Sequence, residues 1–528
     1  MRDPGSGSRV AAFLAVWLTA AGVAAAAEPP IVQAVRNQDA GRLQSLLGQR
    51  ADVNQRADDG STALLWAAQA NDAAMARLLI RAGANANLAN DFRVTPLSLA
   101  CTNGNAALVG ALLEAGADPN TPIATGETPI MTCARSGAED AIPLLVARGA
   151  NANAKEPSQN QTALMWAAAE RHPGVVKSLI ASGADLNAST RKGFTALHFA
   201  ARENDLETTR LLLAAGVNVN VRSQPEAAEV ARSVEVRGSG RSAAGAGAGS
   251  RGGPAGPAYQ ATLSAGATPL LVATMRGHVA LAMFLLDRGA DPNVADAGLT
   301  PLHWAAGRWE GGVSNPVYGF SDAMSGIQSR TAKLQLINAL LAHGANPNAR
   351  MTRRPPNFFG LSGGYEDAPG ATPFLLASAA SDVEVMRILL AAGADPSLAT
   401  DTKATPVMAA AGLNKGIGED DVTEEQALAA VKLLFELGAD ARGNTTNNEN
   451  ALFAAGYRGW NVLLELLIGK GADVNAVSKA GVTPYLAAAG YGDRLGGVLY
   501  NTAGADILLK HGADPKLGKP CEAQNKCR

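Results

Sequence analysis

The chain has 528 residues, too many for one ordinary core, so the starting options are several domains or a repeat array. Its 45 Lys and Arg stand against 47 Asp and Glu, which excludes the clustered basic excess of a nucleic-acid surface, so no nucleic-acid partner is expected. Hydrophobic residues make up 47% but aromatics only 5%, a balance that suits closely packed small-residue helices better than one large core.

In chain order the first element reads as a secretory leader. Arg2 and Arg9 form a short basic lead, Val10 to Val23 is apolar apart from Thr19 and Gly22, and Ala25-Ala26-Ala27 offers a small-residue cleavage site before Glu28. The expectation is a signal peptide over 1–27, cut between Ala27 and Glu28. The alternative is an uncleaved anchor, because the apolar stretch approaches spanning length. No cysteine follows it for lipid attachment, and no second apolar run is long enough to cross a bilayer. The chain is therefore expected to be periplasmic or secreted, with no stable membrane insertion once the leader is gone.

Beyond the leader, one segment recurs. Thr62, Thr95, Thr128, Thr162, Thr195, Thr268, Thr300, Thr372, Thr405 and Thr483 each open a Thr-Pro/Ala-apolar run, and Asn450 fills the same slot. Seven of the ten intervals fall within one residue of 33, so the period is not accidental. A second ladder of Gly-Ala-Asp/Asn segments or near variants, from Gly83 to Gly512, stays in phase, and eight of its eleven glycines lie 21 residues after their slot.

Each marker has a mechanical reason. Thr is a good helix N-cap, and Pro at the next position loses no needed hydrogen bond. Leu64, Ala67 and Ala68 make the apolar face of a first short helix, and Met75, Leu78 and Leu79 that of a second. Gly83 ends the second helix in the left-handed region, and Asn85 and Asn87 begin a polar turn to the next slot. One such unit leaves an apolar face exposed and is stable only when stacked.

The segments Thr300-Pro301-Leu302-His303-Trp304-Ala305-Ala306 and Gly289-Ala290-Asp291-Pro292-Asn293 resemble the ankyrin repeat signature, over about residues 29–515. The whole is also similar to long, signal-bearing bacterial ankyrin proteins. The resemblance implies an all-α solenoid of about twelve helix-turn-helix units with finger connections, monomeric, binding a protein partner along its concave side. The expected layout is repeats over 28–220, a Gly/Ala/Arg-rich insertion over 221–266, repeats over 267–515 with insertions at 308–330, 349–370 and 413–425, and a tail over 516–528.

Departures from the register are where function is added. Gly216 to Thr268 spans 52 residues against the usual 12, and Gly344 to Thr372 spans 28, so two fingers are lengthened. The unit at Thr300 is also expanded between its helices. Its added sequence, with that of the next finger, includes Arg353, Arg354, Phe358, Phe359 and Tyr365, residue types favoured at binding hot spots. Either they meet a partner or they fold back over the repeat's own apolar surface. The fourth residue after the slot gives a second candidate row, Trp66, Trp166, Phe199 and Trp304, read as partner anchors or as core-edge packing.

Four cysteines define no disulfide framework. Cys521 and Cys527 close a short loop and are the candidate disulfide, while Cys101 and Cys133 read as inert core residues. All six histidines sit at repeated framework positions, so no catalytic or zinc cluster is expected, and no phosphate loop or nucleophile elbow occurs. The chain is therefore read as a non-enzymatic scaffold without metal or cofactor. The competing readings are an enzyme or metal-binding protein using the insertions, and a structural accessory that protects another exported protein.

Overall fold

A computed structural model of the chain describes residues 28–226, 265–307, 327, 329–352, 369–413, 422–490 and 501–518. The leader through Ala27, the hot-spot candidates Arg353, Arg354, Phe358, Phe359 and Tyr365, and the paired candidates Cys521 and Cys527 lie outside them. The described residues contain helices joined by turns and no strand, only an isolated bridge between Arg56 and Thr62.

The chain divides at Glu156/Pro157 into two units. The N-terminal unit holds four helix pairs. Their first helices are α1 (Pro30–Arg36), α3 (Ala63–Gln69), α5 (Pro96–Thr102) and α7 (Pro129–Ser136). Their second helices are α2 (Ala40–Gly48), α4 (Ala73–Arg81), α6 (Ala106–Glu114) and α8 (Ala141–Ala147).

The C-terminal unit holds eight pairs. The first helices are α9 (Ala163–Ala169), α11 (Ala196–Arg202), α13 (Pro269–Met275), α15 (Pro301–Ala306), α17 (Pro373–Ala379), α19 (Pro406–Ala410), α21 (Ala451–Arg458) and α23 (Pro484–Ala488). The second helices are α10 (Pro173–Ala181), α12 (Leu206–Ala214), α14 (Val279–Asp287), α16 (Arg330–Ala342), α18 (Val383–Ala391), α20 (Glu424–Glu436), α22 (Asn461–Gly469) and α24 (Thr502–Lys510). The repeated helix-turn-helix architecture is the one expected from the period.

The slot threonines do what their chemistry suggests. The Thr62 hydroxyl accepts from the Leu65 N–H and Thr268 from Leu271, satisfying donors that a helix start leaves open. Six of the twelve second helices are capped by an Asp or Asn side chain, as where Asp72 accepts from Met75 and Asn105 from Leu108. Gly83 has φ of 90°, the conformation that ends α4 at little cost. Each second helix drives at least one leucine fully into the stack, among them Leu79, Leu112 and Leu145 in the first unit and Leu212, Leu340 and Leu467 in the second.

A side-chain ladder ties consecutive repeats. The Asn87 amide donates to Gly116 O at 2.8 Å while its oxygen accepts from the Asp118 N–H at 2.7 Å. Asn120 does the same with Gly149 and Asn151, both at 2.8 Å. In the C-terminal unit Asn220, Asn293, Asn348 and Asn475 repeat the pattern. Ser397 and Arg442 occupy this position in two repeats and bond Asp395 and Asp440 of their own turns instead.

One cysteine reading is corrected. Cys101 on α5 and Cys133 on α7 are joined in a disulfide with a Cα–Cα distance of 4.4 Å, and neither is solvent exposed. The period places both in the core, but only the stacking of α5 on α7 brings the two sulfurs together.

Candidate protein-binding surface

The row four residues after the slot divides by burial. Trp66 and Trp166 are partly exposed, and the Arg36 guanidinium lies 5.0 Å from the Trp66 ring centre, a cation–π distance. Phe199 is 3% and Trp304 5% exposed, so these two rings are covered and offer little surface to a partner. Arg202 lies 4.9 Å from the Phe199 ring centre.

The fingers between helix pairs share one closing motif. In an ordinary finger the Ala57 N–H donates to Ser61 O at 2.8 Å and the Gly60 N–H to Ala57 O at 2.9 Å, leaving a two-residue tip. The lengthened fingers keep this base. The Ser223 N–H donates to Ala267 O and the Gly266 N–H to Ser223 O, at 2.9 and 2.7 Å. Met351, Ala371 and Gly370 repeat both bonds at the same two distances. The extra residues therefore enter at the finger tip and leave the stack intact.

Neighbouring fingers touch closely. A Cβ on Gly193 would lie 2.0 Å from the Gln224 nitrogen, and one on Gly370 would lie 2.6 Å from Asp401 N. Only glycine fits at these two positions, where φ is +81° and +83°.

Two histidines brace the lengthened fingers. The His198 Nδ1 accepts from the Thr195 N–H at 3.2 Å, which leaves the ring proton on Nε2, and Nε2 donates to Ala267 O at 2.9 Å. The His303 Nδ1 likewise accepts from the Thr300 N–H at 3.1 Å, and its Nε2 reaches Ala349 O at 2.9 Å and Ala371 O at 3.2 Å. Burial disfavours the imidazolium and pushes both rings down to about 4, against the partial opposition of their carbonyl partners.

At the opposite edge, between the helices of a pair, Lys333 donates to Gly307 O at 3.2 Å and lies 3.4 Å from the Asp382 carboxylate. Arg330 pairs with Asp382 and, at 2.7 Å, with Glu384. Burial alone would raise Asp382, but the Arg330 hydrogen bond and the Lys333 charge hold it below the usual range. Asp382 also accepts from the Val385 N–H as the N-cap of α18. The residues that follow the expansion in the Thr300 unit thus lock onto the next repeat.

Sequence reasoning missed Phe92. This fingertip ring is 68% exposed, its N–H donates to Asn90 Oδ1 at 3.1 Å, and the next residue, Arg93, has φ of 60°. An aromatic ring between Asp91 and Arg93 in a tip was the available signal. Among the described residues no three His, Cys, Asp or Glu side chains are placed to hold a metal, and no helix is long and apolar enough to cross a membrane.

Comparison with known families decides the class. A model described as ankyrin repeats in three copies matches residues 31–123 and 130–223. A many-copy ankyrin model matches 268–309, and a single ankyrin-repeat model matches 297–352 and 370–401. Together they cover more than half of the chain.

The chain belongs to the ankyrin-repeat family.

Among curated relatives, Protein PhlB of Serratia liquefaciens is 32% identical over 146 residues, 28% of this chain and 47% of that protein. Human Ankyrin repeat and SOCS box protein 16 is 32% identical over 246 residues, 41% of this chain and 46% of that protein. The chain thus spans about half the length of the curated relatives it matches. Among solved structures, the human ASB11 ankyrin repeat domain is 29% identical with a TM-score of 0.34, covering 37% of this chain and 86% of that one. The ankyrin repeat domain of Bcl-3 is 23% identical with a TM-score of 0.34, covering 37% and 90%. Ankyrin repeats are in general protein-interaction modules, and their fold is typically a non-enzymatic scaffold.

Proposed function

We propose that this ankyrin chain is an exported, monomeric scaffold that recognises another protein through its concave face and expanded fingers. The observation that carries this reading is the preserved base of the two lengthened fingers. The chain adds sequence at the tips, where a partner is met, without disturbing the stacked repeats below. Partly exposed Trp66 and Trp166 supply rigid aromatic area on the first helices, the residue type that dominates hot spots.

Export is supported by two independent features. One is the basic, apolar and small-residue order of residues 1–27. The other is the Cys101–Cys133 disulfide, because such bonds persist in oxidising compartments and are rare in a reducing cytosol. Fractionation of the native source checks this directly: the chain should appear, shortened to begin at Glu28, in the periplasmic or secreted fraction. Recovery of uncleaved chain from the cytosol refutes export.

Partner recognition is tested by capture from that same fraction with three baits: the mature chain, a variant lacking 353–368, and a Trp66→Ala/Trp166→Ala variant. The expected result is a partner retained by the first and lost by at least one of the others. Equal retention by all three removes this surface from the proposal.

A further inference from the structure

Two arginines of the first helix pair break the repeat register. Arg42 on α2 stands 33 residues before Met75, and Arg50 stands 33 before Gly83. Met75 and its successor Leu108 are buried, and Gly83 ends α4 in the left-handed region. Arg50 has φ of 62°, so an arginine is held in a backbone conformation that glycine takes at less cost. On α4, Arg77 and Arg81 are four residues apart and share one face. All four arginines are exposed, and Leu46, Leu47, Leu78 and Ile80 of the same helices are only partly covered. Among the described residues, none of the four guanidiniums meets a carboxylate, a backbone carbonyl or a ring. The neighbouring carboxylates are engaged elsewhere. Asp39 and Asp72 accept from helix N–H groups, Asp52 from the Asn54 N–H and Asp59 from Ser61. In the next two pairs the pattern stops: Glu114 ends α6, and the Arg148 guanidinium is held by Leu113 O at 2.7 Å.

We propose that Arg42, Arg50, Arg77 and Arg81 form a docking surface for an anionic phospholipid membrane. An end repeat needs polar residues to stay soluble, but either sign serves. Four unpaired cations with no anion among them fit a negatively charged partner. Guanidinium suits phosphate oxygens, and the partly exposed leucines and isoleucine are what an interfacial surface adds. Position selects a membrane over a soluble anion. In the sequence the apolar stretch Val10 to Val23 directly precedes this pair, and α1 begins at Pro30. Whether that leader is cut or retained, the first two pairs are the first folded segment to leave the bilayer in export. Cations beside a membrane gain from its negative surface potential, which fades within a Debye length, so this end of the chain is the one placed to use it.

The proposal rests on the export reading for its location, not for its test. Cosedimentation with vesicles examines the surface on the mature chain, residues 28–528, without any protein partner. The chain should bind vesicles of equal parts phosphatidylglycerol and phosphatidylcholine at low salt, come off as salt rises, and ignore phosphatidylcholine alone. Each arginine removed should weaken partitioning about fivefold, so Arg77→Gln/Arg81→Gln should lose roughly 25-fold. Arg50→Gly should lose its fivefold while the thermal midpoint holds or rises, because glycine suits a φ of 62°, and this separates docking from folding. Lys177→Gln/Arg387→Gln removes the same charge from exposed positions of the C-terminal unit and should leave binding unchanged. Equal binding to both vesicle types, no loss in the Arg77/Arg81 variant, or equal loss in the two double variants overturns the proposal. So does release by inorganic phosphate beyond that of chloride at the same ionic strength, which assigns the arginines to a free anion. Recovery of the chain from the cytosol refutes export and leaves the vesicle result standing, so the two readings fail separately.

Discussion

The buried histidines make a sharp prediction about acid. His198 and His303 have folded values near 4 against an ordinary 6.5, so the unfolded chain binds more protons than the folded one between those limits. Their contribution is complete above about pH 6.5, is lost as pH falls towards 4, and does not change further below that. For a group held near 4 this amounts to about 3 kcal/mol for each ring. His278 is also lowered, first by burial, and adds in the same direction. Urea midpoints measured at pH 7 and pH 4.5 should therefore separate much further in the natural chain than in a His198→Asn/His303→Asn variant. Equal separation in both means that other groups set the acid limit. The chemistry of these histidines was only half legible in the sequence. Their framework position was plain, but their partners lie 69 and 68 residues away across lengthened fingers, a distance no local pattern reports.

Among elements, the asparagine ladder carries what the period alone does not. Each rung satisfies the carbonyl of the glycine that follows one second helix and an amide of the turn after it, so removing it orphans two backbone groups at a repeat junction. Asn120→Ala should cost about 1–2 kcal/mol, the sum of two exposed hydrogen bonds, read as a fall in the thermal midpoint of the N-terminal unit. The positions without a rung test the same logic in reverse. Arg442→Asn places the missing amide opposite Gly471 and should raise the stability of that junction, and no gain there would mean that the α20–α22 packing geometry has moved away from the ladder. Glu424 shows a different junction device. It follows the expansion between α19 and α20, and its carboxylate accepts from the Val462 and Leu463 N–H groups at 2.7 and 3.1 Å, at the start of α22, where Trp460 has no side-chain cap to offer. Asp382 and Arg330 serve the corresponding position after the earlier expansion. The sequence located these expansions by counting but did not reveal that their trailing residues reach the start of the next repeat's second helix. That outcome depends on the longer α16 and α20, each 13 residues, reaching a neighbour.

For the whole molecule, the period made the fold readable from one chain, since every repeat restates the same cap, apolar face and stop. What it left unread is what breaks the repetition. Phe199 and Trp304 looked the same as Trp66 in the alignment of slots, and only the covering of each ring by its neighbours separates them. Cys101 and Cys133 lie six and five residues after their slots, so no strict register predicts that they meet. Their bond joins the third and fourth pairs of a unit that has only four, and in a stacked array stability is shared between nearest neighbours. Closing a loop of 32 residues should stabilise this unit by about 3–4 kcal/mol. A Cys101→Ser/Cys133→Ser variant, studied as the full chain, should lose protease protection across the N-terminal unit at lower temperature than the natural protein, while fragments from the C-terminal unit persist unchanged. Because neither sulfur is exposed, a thiol reductant should leave the bond intact in the native protein and cleave it once denaturant opens the stack. Rapid reduction under native conditions would show that the N-terminal unit opens locally far more often than its packing implies.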